Sequence, residues 1–104
     1  MHIIVLVTAK DKDEAKKIAS ALVSRKLVAC ANIVSEIHSV FWWEGKTDSS
    51  DEALLILKSQ KRLFKKIEKC VKSVHSYSVP EIIALPIVAG QKDYLKWIDD
   101  SVVK

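Results

Sequence analysis

The residues best suited to chemistry cluster where an apolar helix pattern breaks. His75-Ser76-Tyr77-Ser78-Val79-Pro80-Glu81 brings an imidazole, a phenol and a carboxylate into one short stretch. An imidazole there can bind a metal ion or hydrogen-bond a carboxylate near neutral pH, and the structural alternative is a helix-end histidine bonded to backbone carbonyls. Cys30, in Ala29-Cys30-Ala31-Asn32, sets a thiol and an amide among small side chains, which suits a strand that approaches another backbone closely. A reactive or metal-binding thiol needs a base or cation beside it, and the linear sequence names none, so the other reading is a small residue packed like its alanine neighbours. Lys58 closes an apolar strand just before a helix, where it can meet an anion or serve as an ordinary exposed strand end. His2 and His38 share no short spacing with another ligand and read as surface residues, whereas Cys70 falls on an inner helix stripe and reads as core.

What is missing narrows the chemistry further. The sequence has no G-x-G-x-x-G, P-loop, H-E-x-x-H, C-x-x-C or G-x-S-x-G, and no nucleophile with a positioned base, so no enzyme activity is expected. With two glycines in 104 residues, a phosphate cradle of consecutive backbone N–H groups is hard to build from one chain, and a small-molecule site is expected between subunits. The composition, 49% hydrophobic and 29% charged, fits a single domain over residues 1–104. No apolar run approaches the roughly 20 residues of a membrane span, and Met1-His2-Ile3-Ile4 enters a strand pattern at once, so the expected location is the cytoplasm, without membrane contact. Both cysteines are expected as free thiols there. The net charge of +4 is uneven: seven Lys or Arg face one acid between Ala53 and Pro80. That is either a solvated helix face or an anion-binding surface.

The elements that position these groups follow from periodicity. Ile3–Thr8 is an apolar run suited to a central strand, and Asp11-x-x-Glu14 has capping-box spacing before a helix whose inner stripe is Ala15, Ile18, Ala19, Leu22 and Val23. A strand from about Asp51 to Ser59 is so uniformly apolar over Ala53–Leu57 that both its faces should be covered. A second helix, about Lys61 to Val74, buries Leu63, Ile67, Cys70, Val71 and Val74, and Glu81–Val88 makes a fourth strand whose Pro86 marks an edge or a bulge. Asp93–Val102 puts Tyr94, Trp97, Ile98 and Val102 on one helical face. The order is βαββαβ with an added C-terminal helix, an α+β sandwich of the split βαβ type.

Between the first helix and the apolar strand lies Leu27–Trp43, nearly free of turn residues, with Ile37, Ser39, Phe41 and Trp43 on one side and His38, Val40 and Trp42 on the other. As a strand of about 17 residues it would span roughly 55 Å, against a radius of gyration of about 13 Å for a domain of this size. Glu44-Gly45 supplies the turn of a long hairpin. An arm tipped by Phe41, Trp42 and Trp43 would aggregate if left bare, so other copies of the chain are expected to cover it.

Five segments in order, Leu27-Val28-Ala29-Cys30-Ala31-Asn32, Trp43-Glu44-Gly45-Lys46, Ile56-Leu57-Lys58, His75 to Ile83 and Tyr94-Leu95-Lys96-Trp97, resemble the CutA divalent-cation-tolerance family over essentially the whole chain. The resemblance implies a ferredoxin-like fold in a homotrimer with long hairpins wrapping neighbouring subunits, and a role in ion tolerance with copper or another divalent cation as ligand. His75 and Tyr77 match the family's His-Pro-Tyr motif, with Ser76 in the proline's place. Two further copper ligands proposed in some members fall here on Val7 and Val74, which leaves His75 as the metal candidate. The site implied is an intersubunit cleft near Cys30, Asn32, Lys58, His75, Tyr77 and Glu81. A second reading, by analogy with trimeric PII signalling proteins, is a sensor of a small anionic metabolite held by Lys58 and the basic helix. Nucleic-acid binding is not expected, because the aromatics sit at the arm tip rather than on the sheet.

Overall fold

A computed structural model describes residues 1–104. The elements are β1 (His2–Ala9), α1 (Lys12–Ser24), β2 (Cys30–Trp43), β3 (Lys46–Gln60), a single 3₁₀ turn (Lys61–Leu63), α2 (Phe64–Val74), β4 (Ile82–Pro86) and α3 (Lys92–Ser101). The strands form one antiparallel sheet in the order β2-β3-β1-β4, the ferredoxin-like arrangement that the element order predicts. Pro86 closes β4 at the sheet edge, where its missing N–H costs no ladder bond.

Alternation decides where the core sits. Ile3, Val5, Val7 and Ala9 of β1 and Ala53, Leu55, Leu57 and Ser59 of β3 are buried and share the face covered by the helices. Ala15, Ile18 and Leu22 of α1, with Leu63, Ile67, Cys70 and Val71 at and after the 3₁₀ turn, close onto them. A buried Val, Leu or Ile of this kind stabilises the fold by about 1.5–3 kcal/mol. The opposite face meets only α3, at its His2–Gln60 end, and is otherwise uncovered: Ile4, Leu6, Leu54 and Ile56 are only half-buried, and Val34, Ile83 and Leu85 are exposed. The expectation that both faces of Ala53–Leu57 are covered thus holds for one face within a single chain.

Other departures have local causes. The arm strand begins at Cys30 rather than Leu27, because Leu27 and Val28 are drawn into the core and the Leu27 carbonyl accepts the Ser59 hydroxyl at 2.6 Å. The longest molecular dimension is accordingly 44 Å. Val23 and Val74 lie at helix ends and stay exposed. Ile98 of α3 is buried and Val102, just past the helix, joins the core; Asp99, which accepts from Gln60 and pairs with His2 at 2.7 Å, ties the last turn to the sheet and leaves Tyr94 and Trp97 in solvent.

The distal hairpin pairs only with itself. Residues 46–52 of β3 pair with β2 alone, whereas 53–60 pair with β1 as well. Glu44 and Gly45, with φ of 51° and 79°, form the two-residue turn that matches strand twist. Between the pairs Val34↔Leu54 and Ile37↔Glu52, Ser35 and Glu36 of β2 stand opposite Ala53 alone, a β-bulge. Beyond it Ser39 faces Ser50 and Phe41 faces Asp48, so Ile37, Ser39, Phe41 and Trp43 share one side of the arm, as the alternation predicts.

Candidate functional site

The break after α2 is held by three elements at once. Asp11 caps α1 by accepting the Glu14 N–H at 2.8 Å, as the capping spacing anticipates. The Glu14 carboxylate, however, does not turn back to its cap: it accepts the Lys10 N–H and, from 62 positions away, the Ser76 N–H, both at 3.0 Å. Burial pushes this carboxyl up, but the bonds from Ser76 and Lys10 and the nearby imidazole outweigh it and hold Glu14 below its ordinary value.

His75 is the C-cap of α2, and its side chain is wholly buried. Its Nδ1 accepts the Tyr77 N–H at 3.0 Å and its Nε2 lies 2.7 Å from the Thr8 carbonyl. An amide donor at one nitrogen and a carbonyl at the other assign the neutral tautomer with the proton on Nε2. Neither nitrogen keeps a lone pair for a metal. The metal assignment expected for His75 therefore meets a closed first obstacle: ligation would break one of two buried hydrogen bonds and orphan its partner, a cost of about 1–3 kcal/mol. Val7 faces the helical core, so it offers no compensating ligand.

Tyr77 lies against the His75 ring at 4.8 Å and donates its hydroxyl to Glu52 Oε2 at 2.9 Å. Burial first, then the Glu52 bond and the charges of Glu52, Glu14 and Asp11, push the phenol up to about 12. Through Thr8, Glu14 and Glu52, the His75–Tyr77 turn is pinned to β1, α1 and the root of the arm.

The six residues expected to share a cleft fall into separate groups. Tyr77 and Glu81 line an open cleft of about 730 Å³ between this turn and the arm, together with Glu52, Asp48, Phe41 and Trp43. His75 lies behind the wall rather than in it. Cys30, Asn32 and Lys58 are elsewhere, farther along the sheet face turned away from α1 and α2: Cys30 pairs with Lys58 across the ladder, and Asn32 Oδ1 accepts both the Lys58 ammonium and, at 3.6 Å, the Cys30 thiol. No Lys, Arg or His lines the cleft, so the basic group expected for an anionic ligand is not there. No three His, Cys, Asp or Glu side chains converge in a way that could hold a metal ion. Glu14 and Glu52 were invisible as site residues in the sequence because their partners are distant in it; the only local signal for Glu52 is a charge abutting the apolar run that begins at Ala53.

Comparison with known proteins agrees with the fold and the motif order. The model of the CutA1 divalent ion tolerance protein family matches residues 3–101. The chain is 43% identical over 102 residues to a divalent-cation tolerance protein CutA of Archaeoglobus fulgidus, covering 98% of this chain and 99% of that one. It is 46% identical over 99 residues, 95% of its length, to the chloroplastic protein CutA 1 of Oryza sativa, but spans only 56% of that protein, about half the length of such plant relatives. The solved structure of the divalent cation tolerance protein of Thermus thermophilus superposes with a TM-score of 0.97 at 40% identity, covering 99% of this chain and 100% of the other. The chain belongs to the CutA divalent-ion tolerance family.

Proposed function

We propose that this protein acts in divalent-ion tolerance as a homotrimer in the cytoplasm, without catalysing a reaction. The observation that carries the reading is the uncovered apolar sheet face, continuous with an arm whose Val40, Trp42 and Trp43 stand in solvent. A single chain leaves this surface bare, and further copies would bury it. The Cys30–Asn32–Lys58 group lies on the same face and would come to lie beside a neighbouring chain. The names of the relatives, divalent-cation tolerance proteins, support the ion-related role. Copper or another divalent cation would draw ligands from more than one chain, with His75 remaining in its hydrogen bonds. Support for a non-enzymatic role comes from that histidine, which meets no hydroxyl or thiol within hydrogen-bond reach. The two free cysteines fit a reducing compartment, and no helix is long and apolar enough to cross a membrane.

Sedimentation equilibrium tests the assembly. The expected mass is three times the 11.7 kDa chain, and a monomer at micromolar concentration would reject it. Calorimetric titration with Cu(II) and Zn(II) tests the ligand: saturable heat that survives His75→Ala is expected, and no saturable heat in the wild type would remove direct binding.

A further inference from the structure

Charge is split unevenly between the helical layer and the rest of the chain. The helical layer and its flanking turns, residues 10–26 and 61–74, hold twelve Lys or Arg against four acids, a net +8, while all other residues together carry −4. All twelve basic residues are exposed. Two of the four acids are occupied: Asp11 caps α1, and buried Glu14 accepts from the Lys10 and Ser76 N–H groups. Of the ten lysines in this layer only Lys65 has an ion-pair partner, Glu68 at 3.8 Å. Lys65, Lys69 and Lys72 recur at i, i+4 and i+7 opposite buried Ile67, Cys70 and Val71, so they share the outer face of α2. The Glu14–Ser76 bond sets the first turn of α1 beside the end of α2, which puts exposed Lys16 and Lys17 at the Lys72 end of the same face.

Helix stability does not account for this pattern. Lys65 and Lys66 sit in the first turn of α2, where the helix dipole disfavours cations and no acid offsets them, and Lys65 and Lys69 form a like-charge i,i+4 pair. The layer holds its charge against the preference of its own helices. The side chains also say which polyanion fits. Protein interfaces are depleted in Lys, and membrane-surface helices set Trp, Phe or Leu beside their lysines. This face has no exposed aromatic, and its exposed large apolar residues, Val23 and Val74, lie at helix ends. Lysine is a point-charge partner for phosphate. The two arginines of the layer, the side chains suited to reading guanine edges, are engaged within the fold: Arg25 donates to the Cys70 thiol at 3.3 Å, and Arg62 donates to the Gln60 side chain at 2.6 Å and to the Val103 carbonyl. We infer that the outer face of α1 and α2 binds the phosphate backbone of a nucleic-acid duplex without reading its sequence. The lack of sheet aromatics bears on stacked bases and not on this contact. The face lies across the sheet from the surface that further copies would bury, so the inference does not depend on the trimer.

The test is fluorescence anisotropy of the full chain with labelled DNA and RNA duplexes of about 20 base pairs, at 50 and 200 mM salt. Saturable binding to at least one duplex is expected at the lower salt, equal for two unrelated sequences and about a hundredfold weaker at the higher, the salt slope of about four phosphate contacts. The triple variant Lys65→Gln, Lys69→Gln, Lys72→Gln should reduce that slope by about one unit per lysine and weaken binding at least tenfold, with its circular dichroism unchanged. A second triple, Lys92→Gln, Lys96→Gln, Lys104→Gln, removes the same charge outside the layer and should bind within about twofold of the wild type. No saturable binding to either duplex, binding indifferent to salt, or equal losses in the two triples would overturn the inference. If neither duplex binds while anionic phosphatidylserine vesicles or polyglutamate do, the face belongs to a membrane or to an acidic protein, and the inference fails.

Discussion

The two halves of β3 make opposite bargains with water. From Ala53 to Lys58 the strand lies between two others and sends alternate side chains under the helices; from Lys46 to Asp51 it has one partner strand and almost no burial, with buried Glu52 at the boundary. The proximal half is held by tertiary packing, the distal half by cross-strand pairing and, at its root, the Tyr77–Glu52 bond, and an isolated two-stranded hairpin is marginally stable in water. One strand therefore contains both the firmest part of the fold and the part that most needs a partner.

Substitutions should divide along that line. Leu55→Ala, in the proximal half, is expected to cost about 2–5 kcal/mol in chemical denaturation, whereas Val40→Ala on the arm should change the stability of a single folded chain by less than about 0.5 kcal/mol. Comparable losses at the two positions would mean that the arm is already part of the cooperative unit. His75→Ala strips the Thr8 carbonyl and the Tyr77 N–H of their partner and should cost about 2–4 kcal/mol, as a core substitution would.

The pH limbs of stability separate the two walls of the turn. Glu14 is held below its ordinary 4.5, so its contribution is present above pH 4.5 and lost as pH falls through the folded value; Glu14→Gln should flatten the acid limb. Tyr77 is raised from 10.0 to about 12, so its contribution is intact below pH 10 and fades as pH rises toward 12; Tyr77→Phe should remove that alkaline loss. Urea melts across these ranges would check both.

The smallest effects lie in two turns. Lys26 occupies a left-handed position, φ 56°, in the loop that closes α1, where its N–H and that of Leu27 bond back to Val23 and Leu22. Lys26→Gly should stabilise the body by about 1 kcal/mol, seen as a higher urea midpoint. Glu44→Asn, at the arm tip with φ 51°, should gain only a few tenths, detectable as stronger amide protection in the distal hairpin but not as a shift of the global midpoint.

Most of the fold was legible because period and punctuation agree. The βαββαβ order, the Glu44-Gly45 turn, edge Pro86 and core Cys70 each follow from a local pattern. The candidate site was only half legible. Tyr77 and Glu81 share the cleft, but Glu14, Glu52 and Asp48 enter through contacts that no local period encodes. His75 stood out by residue type, yet what settles its chemistry is the two groups bonded to its ring, one of them 67 positions away. Tyr94 and Trp97 follow the helical period without being buried, because periodicity names a face and not what, if anything, lies against it.

The extra residue at Ser35–Glu36 works as a phase setting for everything beyond it. With ordinary one-to-one pairing past Val34, even-numbered residues would stay on the side turned away from α1 and α2, and His38, Val40 and Trp42 would face the cleft. The one-residue offset exchanges them for Ser39, Phe41 and Trp43. A single-codon deletion here would leave nearly every side chain in the hairpin chemically unchanged while reversing what the arm displays on each side. The composition of the cleft is thus written in a count of residues as much as in their identity.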